Sequence, residues 1–145
     1  MSEISKFKEL LLFEVQKAFY DERGKGARYR LTTAGVSFFK DRIKEGMDDV
    51  EAIKGYLTEH GLVGGLEYTE DAVSFSVRVN DCCLKEIRDY FSSANMQPLG
   101  CPIANVIMNA LELKSGLSPE LLPIDIEGDA CSFTLAKMAT SDVVE

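Results

Sequence analysis

Four cysteines are the residues of this 145-residue chain whose type and spacing could do chemistry. Cys82 and Cys83 are adjacent, Cys101 lies in the next apolar segment, and Cys131 lies in the last one. Thiolates are nucleophiles and ligands of soft metals. No C-x-x-C pair occurs, so the spacing matches none of the common zinc motifs. Any shared chemistry therefore depends on the fold bringing these thiols together, and simple packing in the core is the alternative for each of them.

The composition indicates which cellular compartment and which classes of binding partner are compatible with this chain. Hydrophobic residues make up 46% of the chain and charged residues 28%, which is typical of a globular protein. The net charge of -8, with no compact Lys/Arg cluster, disfavours nucleic acid and anionic membranes as partners. The opening MSEISKFKELLLF lacks a signal-peptide core, and no segment approaches the roughly 18 apolar residues of a membrane span. We therefore expect a cytoplasmic protein whose cysteines are thiols or ligands rather than disulfides.

The first part of the chain predicts three helices, over residues 3–23, 33–45 and 47–60. The first helix carries an apolar stripe wider than one core face needs, formed by Ile4, Phe7, Leu10, Leu11, Leu12, Phe13, Val15 and Phe19. A stripe of that width would be exposed in a monomer, which predicts a homodimer. Within a single domain spanning 1–145, residues 1–46 are therefore the candidate dimer interface and residues 47–145 the candidate ligand-binding core.

The apolar period then changes from 3.6 to 2 over residues 66–79, which predicts a β-hairpin. Helices are predicted over 82–94, with Asp81 as N-cap, and over 101–113. Residues 122–135 predict a second hairpin. The order of elements indicates an α+β fold in which helices pack on one face of an antiparallel sheet built from the two hairpins.

These elements predict where the cysteines point. Helical phase places Cys83 on the same stripe as Ile87, facing inward, and Cys82 toward solvent. Cys101 precedes the first turn of its helix, where the positive end of the helix dipole favours the thiolate and would lower the thiol pKa. Cys131 lies on the inward face of the final strand. The pattern therefore predicts that Cys83, Cys101 and Cys131 share an interior site.

Three segments of the chain resemble the small-molecule and metal-binding domain of the 4-vinyl reductase type. They are NDCCLKEI, GCPIANVI and IEGDACSFTL, and the likeness is strongest over residues 80–138. The resemblance implies a pocket between the helices and the sheet. In several members of that family a zinc ion, held by cysteines and an acidic residue, lies close to the pocket.

Carried over by position, the resemblance implies a metal site formed by Cys83, Cys101 and Cys131, with Cys82 and Glu120 as further candidate ligands. Pro123 stands where many members have another cysteine. Cysteine-rich sensor domains with a related arrangement of elements hold an iron–sulfur cluster instead of zinc. Zinc, an iron–sulfur cluster and no metal are therefore the three alternatives.

The function predicted from these observations is non-enzymatic binding or sensing of a small apolar molecule beside a cysteine metal site. The candidate ligand-binding residues are the aromatics Phe75, Tyr90, Phe91 and Phe133. One alternative is a cysteine-dependent hydrolase resembling the aminothiazoline-carboxylate hydrolases, with Cys101 as nucleophile. Another is an assembly protein that uses its first helix. Binding is favoured over catalysis because the single histidine, His60, belongs to a distant segment.

Overall fold

The computed structural model describes residues 2–23, 34–96, 98, 101–116 and 118–137. Within these ranges the chain forms five α-helices and five β-strands. The helices are α1 (Glu3–Arg23), α2 (Val36–Ile43), α3 (Val50–Glu59), α4 (Lys85–Ser93) and α5 (Pro102–Ser115). The strands are β1 (Gly65–Glu70), β2 (Ser74–Asn80), β3 (Glu120–Leu121), β4 (Asp125–Glu127) and β5 (Ala130–Ala136).

The strands form one open antiparallel sheet in the order β1-β2-β5-β3, and β4 also pairs with β5. Each predicted hairpin is present, and β2 joins them by pairing with β5, so that Val79 lies opposite Cys131. The edge strand of the second hairpin is interrupted between Leu121 and Asp125, around Pro123, because proline has no N–H to donate to a ladder. The α+β class predicted from the sequence is confirmed.

One face of the sheet is apolar and carries the main core. Phe75, Val77, Phe133 and Leu135 are buried there against α2, α3 and α5. On the opposite face the Ser76 and Thr134 hydroxyls lie 3.3 Å apart across the two central strands. This alternation places the helices on one side of the sheet, as the period-2 pattern predicted.

The N-terminal helices belong to two different environments. Val36 and Phe39 place α2 in the main core, so α2 packs with the region predicted as the ligand-binding core. Helix α1 packs instead on α4, where Phe13 contacts the rings of Tyr90 and Phe91 at centroid distances of 5.6 and 4.9 Å. Large exposed apolar side chains extend along α1, namely Ile4, Phe7, Leu10, Leu11, Leu12 and Val15. The wide apolar stripe is thus present, and most of it faces outward.

Helix α4 begins later than the sequence predicted. It starts at Lys85 rather than at residue 82, and Asp81 is not its N-cap. Asp81 instead has a φ of 50°, a left-handed conformation. The Cys83 N–H donates to the Leu62 carbonyl at 2.8 Å, which anchors a turn before the helix. Helical phase therefore does not apply to residues 82 and 83.

Candidate ligand-binding cavity

A partly open cavity of about 410 Å³ lies where α1, α4 and α5 meet the sheet. Its volume is within the range of small-molecule sites in proteins. The inward stripe of α4 supplies Ile87, Arg88 and Phe91, and Leu84 lies next to them as the N-cap of this helix. Helix α1 covers one side of the cavity with Leu12, Val15 and Gln16. Other parts of the wall come from the start of α5, from the segment before α2 and from the second hairpin, including Gly35, Pro102, Asn105 and Ile124. The lining is almost wholly apolar.

Three of the four cysteines lie on the wall of this cavity, but they are not the three that the sequence predicted. Cys82, Cys101 and Cys131 line it, whereas Cys83 is exposed. The predicted orientation of the adjacent pair is therefore wrong. The turn before α4 reverses it, because it directs Cys82 inward, where the Sγ of Cys82 accepts the Leu84 N–H at 3.4 Å.

The thiols on the cavity wall are held in their protonated form at neutral pH. Burial raises the pKa of Cys101 to about 11 and outweighs the backbone N–H groups of Ala104 and Ile103, which act in the opposite direction. The pKa of Cys131 is also raised by burial, although the nearby Arg88 lowers it. For Cys82 a hydrogen bond with Cys83, and then burial, raise the pKa. The expected depression of the Cys101 pKa is thus wrong, since desolvation exceeds the helix-terminus effect.

Cys83 differs from the three cysteines of the cavity wall in both its exposure and its pKa. It is exposed, and its hydrogen bond with Cys82 lowers its pKa to about 7. An exposed thiol with a depressed pKa is the type of cysteine that reacts readily. The adjacent cysteines therefore divide into one inert wall residue and one reactive surface residue.

The predicted metal ligands do not form a compact set. Across the described ranges, no group of three or more His, Cys, Asp or Glu side chains is placed to hold a metal ion. Glu120 pairs with Ala136, at the far end of β5 from Cys131. Ala136 is five residue steps along the strand from Cys131, roughly 17 Å at about 3.4 Å per step. Binding of a zinc ion would require Cys82, Cys101 and Cys131 to move closer together and to lose their protons.

The four predicted ligand-binding aromatics occupy three different places. Phe91 lines the cavity. Tyr90 stacks on Phe13 at the contact between α1 and α4. Phe75 stacks on Tyr68 with centroids 5.0 Å apart, and Phe133 is buried beside it in the main core. One of the four therefore faces the space that a ligand could fill.

Three polar side chains of the cavity, Gln16, Arg88 and Asn105, were not identified from the sequence. Arg88 is only 5% exposed and Asn105 only 1%. The Nδ2 of Asn105 donates to the Ala34 carbonyl at 2.9 Å, which fixes the segment before α2 against α5. The inward orientation of Arg88 could have been predicted from the sequence. It follows Leu84 by four residues and precedes Phe91 by three, and residues at these spacings lie on one face of a helix.

Arg88 donates a hydrogen bond to the backbone, and its guanidinium also interacts with the Cys131 thiol and lowers the pKa of that thiol. Its Nη2 donates to the Gly128 carbonyl at 3.1 Å. Its Nε and Nη1 are buried and have no hydrogen-bond partner among the described residues. Buried polar groups are rarely left in this state unless a water, an ion or a ligand completes them.

No protein-family profile matches this sequence, and no curated protein is significantly similar to it. In the part of the chain that the structure describes, no helix is long and apolar enough to cross a membrane.

Proposed function

We propose that this protein binds a small, mainly apolar molecule in the cavity between α1, α4, α5 and the sheet. The observation that carries the proposal is the cavity itself, with a volume of about 410 Å³ and an almost wholly apolar lining. A concave apolar space with a few convergent polar groups is the usual form of a small-molecule site. The family resemblance, which remains a prediction, implies a pocket in the same part of the fold.

The contacts of α1 support reversible entry of such a molecule. Phe13 is the buried side chain that ties this helix to α4, while Leu12 and Val15 form part of the cavity wall and are themselves exposed. A helix held by few buried contacts can open at low cost in free energy. We therefore assign α1 as the element that admits the ligand.

The properties of Cys101 favour binding over catalysis by this residue. A cysteine nucleophile needs a low pKa or an adjacent base, and the pKa of Cys101 is raised to about 11. His60 lies at the end of α3, where its ring lies 4.3 Å from that of Tyr56. Neither condition for a cysteine-dependent hydrolase is met by these two residues.

A metal site remains a separate prediction. Cys82 replaces Cys83 in the candidate set, because Cys82, Cys101 and Cys131 share the wall of one cavity. Thiolates suit zinc and iron–sulfur clusters. The proposed binding of an apolar molecule does not depend on either.

Titration calorimetry with 1-decanol, an uncharged apolar probe, tests the proposed function. We expect saturable binding of one molecule per chain, which Cys82→Phe should weaken at least 10-fold by filling the cavity. Cys83→Phe is the matched control, because it places the same side chain at the neighbouring exposed position. Cys101→Phe provides a second cavity-filling variant if Cys82→Phe unfolds, as judged by circular dichroism. Absence of decanol binding, or equal affinity in all folded variants, would contradict the proposal.

A further inference from the structure

The apolar lining of the cavity continues onto the exposed stripe of α1. Leu12 and Val15 form part of the cavity wall and belong to the exposed stripe as well. Leu11 does not line the cavity, but it lies one turn before Val15 on the same face of the helix and is 49% exposed. Any molecule that packs on the stripe therefore contacts two residues of the cavity wall.

The central residues of the stripe lie on the side of α1 that faces away from α4. They are exposed and follow one another at intervals of three and then four residues, as on one helix face: Ile4, Phe7, Leu11 and Val15. Phe13 is two residues from both Leu11 and Val15, so it lies on the opposite side, where it is buried against α4. Packing of α1 on its own chain therefore leaves this apolar face of the helix exposed.

The exposed area of the stripe is of the size that a dimer interface needs. Phe7 is 67% exposed, and a phenylalanine can bury about 150–250 Å², so Phe7 presents roughly 100–170 Å². The five exposed aliphatic side chains of the stripe can each bury about 60–120 Å², and at their exposures of 38–68% they add roughly 150–300 Å². A standard interface buries about 800 Å² per copy, of which about two thirds is apolar in homodimers. The stripe therefore supplies about half or more of the apolar area of one such interface.

A second copy of this chain fits the stripe better than a lipid surface does. Helix α1 carries four basic and five acidic residues, and the whole chain has a net charge of -8, so an anionic bilayer repels it. The stripe is complementary to itself when two α1 helices pair antiparallel about a two-fold axis at Leu11. Phe7 then lies opposite Val15 of the second copy, and Ile4 lies opposite Ala18. Each bulky side chain meets a smaller one, and none of these residues is charged.

We propose that two copies of this protein pair through α1 and that the pairing closes the ligand cavity of each copy, so that ligand binding and dimerisation stabilise one another. This inference rests on the proposed function, since it concerns the same cavity. Contact with the second copy removes the outer surfaces of Leu12 and Val15 from water and holds α1 in place over the cavity. The monomer therefore admits the ligand when α1 opens, and the dimer retains it.

Sedimentation equilibrium and titration calorimetry with 1-decanol test the coupling. Leu11→Glu should give a monomer that binds decanol about 10-fold more weakly, within the usual range of coupling between two sites, although Leu11 does not line the cavity. Saturating decanol should lower the dissociation constant of the wild-type dimer about 100-fold, because each of the two chains contributes the same factor. Leu113→Glu is the matched control and should leave both constants within about twofold, because Leu113 is 57% exposed and lies outside both α1 and the cavity lining.

The outcomes separate the two proposals. Equal affinity for decanol in the wild-type protein and Leu11→Glu, or a dimer whose dissociation constant decanol does not change, would overturn the coupling and leave the apolar site intact. A wild-type dimer that does not bind decanol would overturn the proposed function. A wild-type protein that stays monomeric would overturn the pairing, and its sedimentation with phosphatidylcholine vesicles would assign the stripe to a lipid surface instead. If circular dichroism shows that Leu11→Glu does not fold, Phe7→Glu replaces it, because Phe7 is exposed and also lies outside the cavity lining.

Discussion

Arg88 donates a 3.1 Å hydrogen bond to the carbonyl oxygen of Gly128 and so joins α4 to the turn between β4 and β5. The bond fixes one edge of the guanidinium, and Nε and Nη1 are buried without a hydrogen-bond partner among the described residues. Because Gly128 is exposed, its carbonyl can bind water when the arginine is removed. The turn therefore does not depend on this hydrogen bond to satisfy the Gly128 carbonyl.

The first prediction concerns the stability of the ligand-free protein. Arg88→Met should raise its Tm by about 2–8 °C, because replacing an incompletely paired buried charge by an apolar side chain is commonly neutral or stabilising by up to a few kcal/mol. Arg78→Met, at an exposed ion pair with Glu127, should change Tm little. Differential scanning calorimetry measures both. A large loss of stability in Arg88→Met would indicate that the arginine is structural.

The second prediction concerns Gly35, which precedes α2 at the cavity wall. Its φ is +86°, and a Cβ there would lie 2.6 Å from the Cβ of Pro102. Gly35→Ala should therefore lower the free energy of unfolding by about 2–4 kcal/mol, the left-handed cost plus the steric one. Gly61→Ala separates the conformational cost from the steric cost, because Gly61 has a φ of +70° but nothing lies within 4 Å of its Cβ position. This variant should lower the free energy of unfolding by about 1 kcal/mol, the conformational cost alone. Urea denaturation with equal losses for the two variants would refute the steric contact.

The third prediction concerns the reactivity of Cys83. With its pKa near 7, it should react with iodoacetamide faster than the other three cysteines, with a rate that rises through pH 7 as the thiol loses its proton. Cys82→Ala removes the hydrogen bond that lowers the Cys83 pKa, so the midpoint should move to higher pH. Rates at pH 7 should fall about 5- to 10-fold, since the smaller thiolate fraction is partly offset by its greater nucleophilicity. Peptide mass spectrometry measures the rates, and an unchanged pH midpoint in Cys82→Ala would contradict the coupling.

The fourth prediction concerns the homodimer expected from the apolar stripe of α1. Light scattering after size-exclusion chromatography should give about twice the chain mass of 16.1 kDa. Leu11→Glu should give the monomer, because it places a charge in the apolar surface of α1. Leu113→Glu on α5 is the control, since these leucines are similarly exposed, at 49% and 57%. A monomeric wild-type protein, or dissociation by both variants alike, would show that α1 is not the interface.

The fifth prediction concerns the metal site. If the cysteines hold zinc, elemental analysis of protein purified without chelator should find about one zinc ion per chain, and Cys101→Ser should lose it. Cys83→Ser should retain it, because Cys83 points away from the cavity. Affinity should increase with pH, since the raised pKa values of Cys82, Cys101 and Cys131 require proton loss on binding. An iron–sulfur chromophore, or zinc well below one per chain, would contradict the zinc assignment.

The periodic pattern of side chains was sufficient to predict the elements and the α+β class, because apolar period follows directly from backbone geometry. Val77 and Phe133 alternate with polar neighbours and are buried in the sheet, as predicted. The start of α4 was not predictable in the same way. A long-range hydrogen bond from Cys83 to Leu62 decides where that helix begins, and no local signal encodes it.

The sequence by itself determined which segments are helices and strands and that Cys101 precedes the first turn of α5, since those features depend on neighbours along the chain. Only the tertiary structure decided that Cys82 rather than Cys83 faces the cavity, that Cys101 is protonated, and that Arg88 is buried with two donors unpaired among the described residues. Burial and electrostatic environment depend on which distant segments pack together. One turn before α4 therefore reversed the predicted orientation of two adjacent cysteines, although the predicted elements on both sides of it are present.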